Sequence, residues 1–138
     1  WLLISHVMCM FLGPIMAFRT ALGIMMKEED WGRRLWWLLG FMTVGGFILG
    51  PMMQQYAFGA LWTGWPVGED LTDSKTLLTF VGWIVASIFA FKDSKYKVQA
   101  FWAALIVMLG VYLVPHSVRG SQVDWSKIES ASPQNSSY

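Results

Sequence analysis

Leu35-Trp36-Trp37-Leu38-Leu39-Gly40-Phe41-Met42-Thr43-Val44-Gly45-Gly46-Phe47-Ile48-Leu49-Gly50-Pro51-Met52-Met53, continuing to Phe58, is the stretch whose reading decides the fold. Its only polar side chain before Gln54 is that of Thr43. The run exceeds the about 20 apolar residues that a helix needs to cross a bilayer. A charged patch, Lys27-Glu28-Glu29-Asp30-Trp31-Gly32-Arg33-Arg34, precedes it. Gly50-Pro51 lies inside it, and a proline there removes a backbone donor, so a kink or a helix end is expected near Pro51.

Three more apolar runs flank this one. Trp1 to Met26 carries a single charge, Arg19. Either the first helix ends near Met26 and Arg19 snorkels, or it ends near Phe18 and the chain from Arg19 to Trp31 lies along the interface. The third run is short, Leu77 to Phe91, with Asp73 or Ser74 expected as its cap. The fourth, from Val98, stops at Pro115. The expectation is an all-α, integral membrane four-helix bundle with spans at about 1–26, 35–58, 75–91 and 98–115. These form one transmembrane domain over 1–116, followed by a polar tail over 117–138. The chain opens on Trp1 without a methionine, so residues upstream of it are expected.

Composition agrees. Of 138 residues, 55% are hydrophobic, and Trp, Phe and Met each occur nine times. Charges sit between the apolar runs, whereas a soluble helix would carry them as a polar face. There is no basic stripe with interleaved aromatics, which excludes nucleic acid as a partner. The single cysteine, Cys9, excludes an internal disulfide.

Loop charge gives an orientation. The first and third loops hold Lys27, Arg33, Arg34, Lys92, Lys95 and Lys97, against Lys75, Arg119 and Lys127 on the other side. Excess Lys and Arg marks the cytoplasmic side. Both termini and the Trp62 to Asp73 loop are therefore expected on the non-cytoplasmic face of a bacterial cytoplasmic membrane. Close helix approach is expected at Gly46-x-x-x-Gly50, at Gly82, Ala86 and Ala90, and at Ala17 with Ala21.

Few residues can carry chemistry. His6 and His116 fall at the same end of an up-down-up-down bundle, so the two imidazoles can ligate a haem b iron axially, with Arg119 pairing a propionate. The plainer reading makes them polar interfacial residues. His6 and Cys9 lie three residues apart, and Met25-Met26 and Met52-Met53 carry thioethers. Two ligands do not complete a metal site, and methionines are commonly core filler. Glu69, Asp70 and Asp73 cluster in an outer loop, where they either bind a cation or partner or stabilise a helix start. Trp62, Trp65 and Pro66 in that loop look built to pack on a partner or on the bundle mouth. The spans contain no Asp or Glu, which argues against a proton- or ion-coupled transporter. No hydrolase, nucleotide-loop or zinc-protease motif occurs.

Trp62-Thr63-Gly64-Trp65-Pro66-Val67-Gly68-Glu69-Asp70-Leu71-Thr72-Asp73, with Pro115-His116-Ser117 and Gly120-Ser121 after the last span, resembles an uncharacterised family of small four-span bacterial membrane proteins. The resemblance implies the four-span fold and supplies no activity.

The functional expectation is a non-catalytic membrane subunit of a larger electron-transfer or energy-converting assembly, partnered by lipid and other membrane proteins. The alternatives are a haem- or quinone-binding electron-transfer subunit and a small channel or transporter.

Overall fold

The computed structural model describes residues 1–114. Four helices make up this part: α1 (Leu2–Met25), α2 (Gly32–Phe58), α3 (Leu71–Phe91) and α4 (Lys97–Leu113). No strand occurs among the described residues. The first three, of 24, 27 and 21 residues, are long and apolar enough to cross a membrane. The fourth is apolar but has 17 residues.

α1 and α3 end in the same way. Beyond α1, Glu28 N–H reaches Gly23 O and Lys27 N–H reaches Ile24 O. Beyond α3, Ser94 N–H reaches Phe89 O and Asp93 N–H reaches Ala90 O. This is the paired-bond helix terminus that normally places glycine in the left-handed conformation. Here Lys27 (φ 59°) and Asp93 (φ 47°) occupy it. Both turns reverse the chain tightly, so their charged residues share one end. Lys27, Glu28, Trp31, Asp93 and Lys97 line a single crevice there.

Since α1 runs to Met25, Arg19 lies within the helix and not along an interface. Its guanidinium meets the Glu28 carboxylate at 3.3 Å. Arg34 binds the other oxygen of Glu28. The Arg34 hydrogen bond, supported by the charge of Arg19, holds the Glu28 carboxyl below its ordinary pKa. Asp93 is likewise lowered, by the Lys97 ammonium one turn on.

The core sits toward this charged end. Trp83 and Phe101 are fully buried and meet edge to face at 5.4 Å, and Trp31 packs on Phe101 at 5.7 Å. Such aromatic contacts add about 0.5–1.5 kcal/mol each beyond area burial. Small residues let the helices close around them. Ala17, Ala21, Ala86 and Ala104 are buried, and Gly82 faces Ala104.

Toward the other end, two prolines interrupt backbone bonding. Pro14 leaves α1 continuous but cannot donate to the carbonyl four residues earlier. That carbonyl, Met10 O, accepts the Tyr112 hydroxyl at 2.8 Å. Pro51 does not end α2. The backbone instead widens into a π-helical segment, Thr43–Leu49, in which Gly50 N–H bonds Gly45 O. A wider turn relieves the clash between the proline ring and the preceding turn, so helix continues to Phe58 and stops at Gly59 (φ 75°).

The tight termini and the Met10–Tyr112 bond yield two expectations. Lys27→Gly removes left-handed strain and should stabilise the chain by about 0.5–1 kcal/mol. Lys27→Ala, which keeps the strain, should not; denaturant titration in detergent compares them. Tyr112→Phe leaves Met10 O unbonded and should cost about 1 kcal/mol in the same assay.

Candidate functional site

The end opposite the charged loops holds the polar residues that stand out. Its scaffold is the connection from Gly59 to Asp70, which folds back on the first turn of α3. Asp70, not Asp73 or Ser74, caps the helix: its Oδ1 accepts Thr72 N–H at 2.6 Å. Asp73 has a different use, since its Oδ2 accepts Thr63 N–H at 2.8 Å. Ser74 Oγ accepts Trp65 N–H at 2.9 Å, and Asp70 N–H returns to Thr63 O. Gly64 is required by this closure. A Cβ there would lie 2.4 Å from Asp73 Cβ and 2.7 Å from Ser74 N.

Thr63 links the loop to α2. Gln54 Nε2 donates to Thr63 Oγ1 at 2.8 Å. Thr63 Oγ1 also lies 3.3 Å from Asp73 Oδ2 and 3.4 Å from Asp70 Oδ2. Carboxylate oxygens only accept, so the Thr63 proton points to them and its lone pair faces Gln54. The Gln54 amide is thereby oriented. Its Oε1 is buried and has no partner among the described residues.

His6 stands on the facing side of α1. Its Nδ1 lies 2.9 Å from Gly45 O. A carbonyl cannot donate, so Nδ1 carries the proton, and in the neutral ring Nε2 is the acceptor. His6 and Met10 of α1, Gly50 and Gln54 of α2, and Thr72 and Asp73 of α3 line a cavity of about 230 Å³. Gly45 and Gly46 make this junction tight: a Cβ on the first would lie 2.8 Å from Cys9 Cβ, and on the second 2.8 Å from Thr76 Cγ2.

The residues singled out in the sequence fall as follows. His6, Asp70 and Asp73 gather at this end, and His6 shares a cavity with Asp73. Trp62 folds inward, stacking on Phe47 at 5.8 Å and donating from Nε1 to Trp65 O. Trp65 and Pro66, joined by a cis peptide, form the exposed tip with Val67. Cys9 packs over Gly45, apart from the cavity lining. Among the described residues, no three His, Cys, Asp or Glu side chains converge to hold a metal. Met53 borders the cavity, whereas Met25, Met26 and Met52 are exposed. His116 and Arg119 lie outside the described residues. Gln54, Thr63 and Gly45 were not singled out from sequence. Gln54 had one signal, as the first polar side chain after Thr43 in an apolar run.

Comparison with family models, with curated proteins and with solved structures finds no match.

Gly64→Ala should free the loop, at a cost of about 2 kcal/mol from overpacking. Limited proteolysis within residues 59–70 should accelerate. Gly32→Ala, where an added Cβ meets nothing within 4 Å, is the silent control.

Proposed function

We propose that the chain crosses the membrane four times, with both ends and the 59–70 loop on the non-cytoplasmic side, and serves as a non-catalytic subunit of a larger membrane assembly. One observation carries the subunit reading. A loop fixed by many hydrogen bonds holds out an apolar tip, with Trp65 and Val67 exposed by 67% and 77%. Backbone rigidity at an exposed aromatic lowers the entropy lost on docking, which is the character of an interface anchor.

Four crossings are supported by the apolar surface of all four helices and by the confinement of Lys27, Arg33, Arg34, Lys92 and Lys97 to one end. At 1.5 Å per residue α4 is about 25 Å long, somewhat short of the about 30 Å hydrocarbon core. Local thinning of the bilayer and the long side chain of Lys97 make up the difference at modest cost. The loop-charge excess then sets the charged end inside.

An electron-transfer role is the second reading, and the cavity beside His6 favours it. Ordinary ligand pockets run from roughly 300 to 1,000 Å³. At about 230 Å³ this one suits a single ring and is narrow for a tetrapyrrole. A channel or transporter is less well supported. Buried Thr20 and Thr79 donate back to Met16 O and Lys75 O of their own helices, so they do not line a wet path.

Val67→Cys and Glu29→Cys, each in a Cys9→Ala background, test the reading in intact cells. A membrane-impermeant maleimide should label position 67 and spare position 29. In mild detergent the chain should migrate in an assembly well above its own 15.7 kDa. Trp65→Ser with Val67→Ser should release it. Reversed labelling would overturn the topology, and migration as a lone monomer would overturn the subunit role.

A further inference from the structure

We propose that the cavity between α1, α2 and α3 binds the hydroxylated ring of a hydroquinone-type lipid, held by hydrogen bonds that the ring donates. The proposal rests on the membrane-spanning reading above and deepens its second form.

The chemistry of the wall decides the ligand. Five polar residues border the cavity, His6, Gln54, Thr72, Asp73 and Thr76; the Thr76 hydroxyl is spent on Thr72 O, and His6, Gln54 and Asp73 present acceptors. His6 gives its Nδ1 proton to Gly45 O, which leaves Nε2 as an acceptor without a described partner. Gln54 gives one amide hydrogen to Thr63, and its Oε1 is buried and unbonded among the described residues. Asp73 offers only carboxylate oxygens. A buried unpaired acceptor such as Gln54 Oε1 is uncommon in folded proteins and costly to leave so. A ligand that fits such a wall brings donors of its own.

A metal ion would also satisfy acceptors, but it needs them to converge on one point, and the described residues supply no such cluster. The acceptors are instead spread along the wall. His6 bonds the π segment at Gly45, and Gln54 lies more than two turns further along α2. The His6 ring itself lies against Gly50, 3.6 Å from where a Cβ there would stand, so it and Gln54 are separated by about one helical turn, roughly 6 Å along the axis. An extended, rigid ligand with hydroxyls at opposite edges bridges such a gap better than an ion. The rest of the lining is apolar or small: Leu3, Met10, Met53, Ala57 and Phe58 with Gly46 and Gly50. Methionine thioethers and a phenyl ring suit the face of an aromatic ring. A cavity of about 230 Å³ accepts one such ring, and an attached hydrocarbon tail extends along the exposed apolar helix surfaces. The His6–Gly45 bond has the form that orients a functional imidazole, in which a backbone carbonyl fixes the tautomer that presents Nε2.

The test uses the full chain in phospholipid nanodiscs, with a decyl-substituted benzohydroquinone as probe under anaerobic conditions and its oxidised benzoquinone as comparator. Binding is read by quenching of tryptophan fluorescence and by calorimetry. The quinone carries acceptors only, so the quinol should bind about tenfold tighter or more. Gln54→Leu should weaken quinol binding several-fold while leaving quinone binding nearly unchanged. His6→Phe should do the same, and the Gln54 variant stands in its place if that chain fails to fold. Equal affinity for the two redox forms would overturn the proposal. So would absence of quinol binding by a chain that is helical and fully inserted, or Zn²⁺ or Cu(I) binding in place of quinol. Failure of insertion, seen separately by maleimide labelling, would strike the membrane reading instead.

Discussion

Unbonded backbone groups are the constraint on which the rest of this structure depends. In an apolar medium each free N–H or C=O costs several kcal/mol, so a spanning helix must satisfy its own ladder. Two prolines sit inside these helices, and each removes a donor. The answers differ. Pro14 leaves Met10 O to the Tyr112 hydroxyl, which ties the last turn of α4 to the first half of α1. Pro51 is met by a change of pitch, and the widened turn presents Gly45 O to both Gly50 N–H and His6. Repairs of the ladder thus become the contacts that hold α1 against its neighbours.

The two ends of the helices solve different problems. At the charged end, tight reversals bring Trp31, Asp93 and Lys97 together beside a core of Trp83 and Phe101, and Lys97 pairs with Asp93. At the other end the connection is longer and is closed by hydrogen bonds. Asp70 and Asp73 hold the loop to the start of α3, and Thr63 passes the constraint on to Gln54. The clustered acids of the sequence are here a device for closing a loop. The cavity beside His6 survives because glycines rather than larger residues line that part of α2.

Much of this was legible in the sequence. Apolar runs gave the helices almost as they stand, with α2 and α3 starting three or four residues before the expected spans. Ala17, Ala21 and Ala86 were marked as contact residues by spacing alone, and all three are buried. The helix start of α3 was misplaced because Asp73 and Ser74, the two expected caps, follow Asp70 by only three and four residues, and only the loop geometry selects Asp70. The fate of Pro51 was equally open, since a kink, a stop and a widened turn share one sequence signal.

Sequence by itself determined that the chain is helical and that three of its helices are long and apolar enough to cross a membrane, because length and hydropathy act residue by residue and need no partner. Tertiary structure alone decided which acceptors remain unpaired around the cavity. That depends on whether the Gln54 amide faces Thr63 and which carbonyl His6 reaches. Both are contacts between segments far apart or in a folded loop, and no local pattern of residues encodes them.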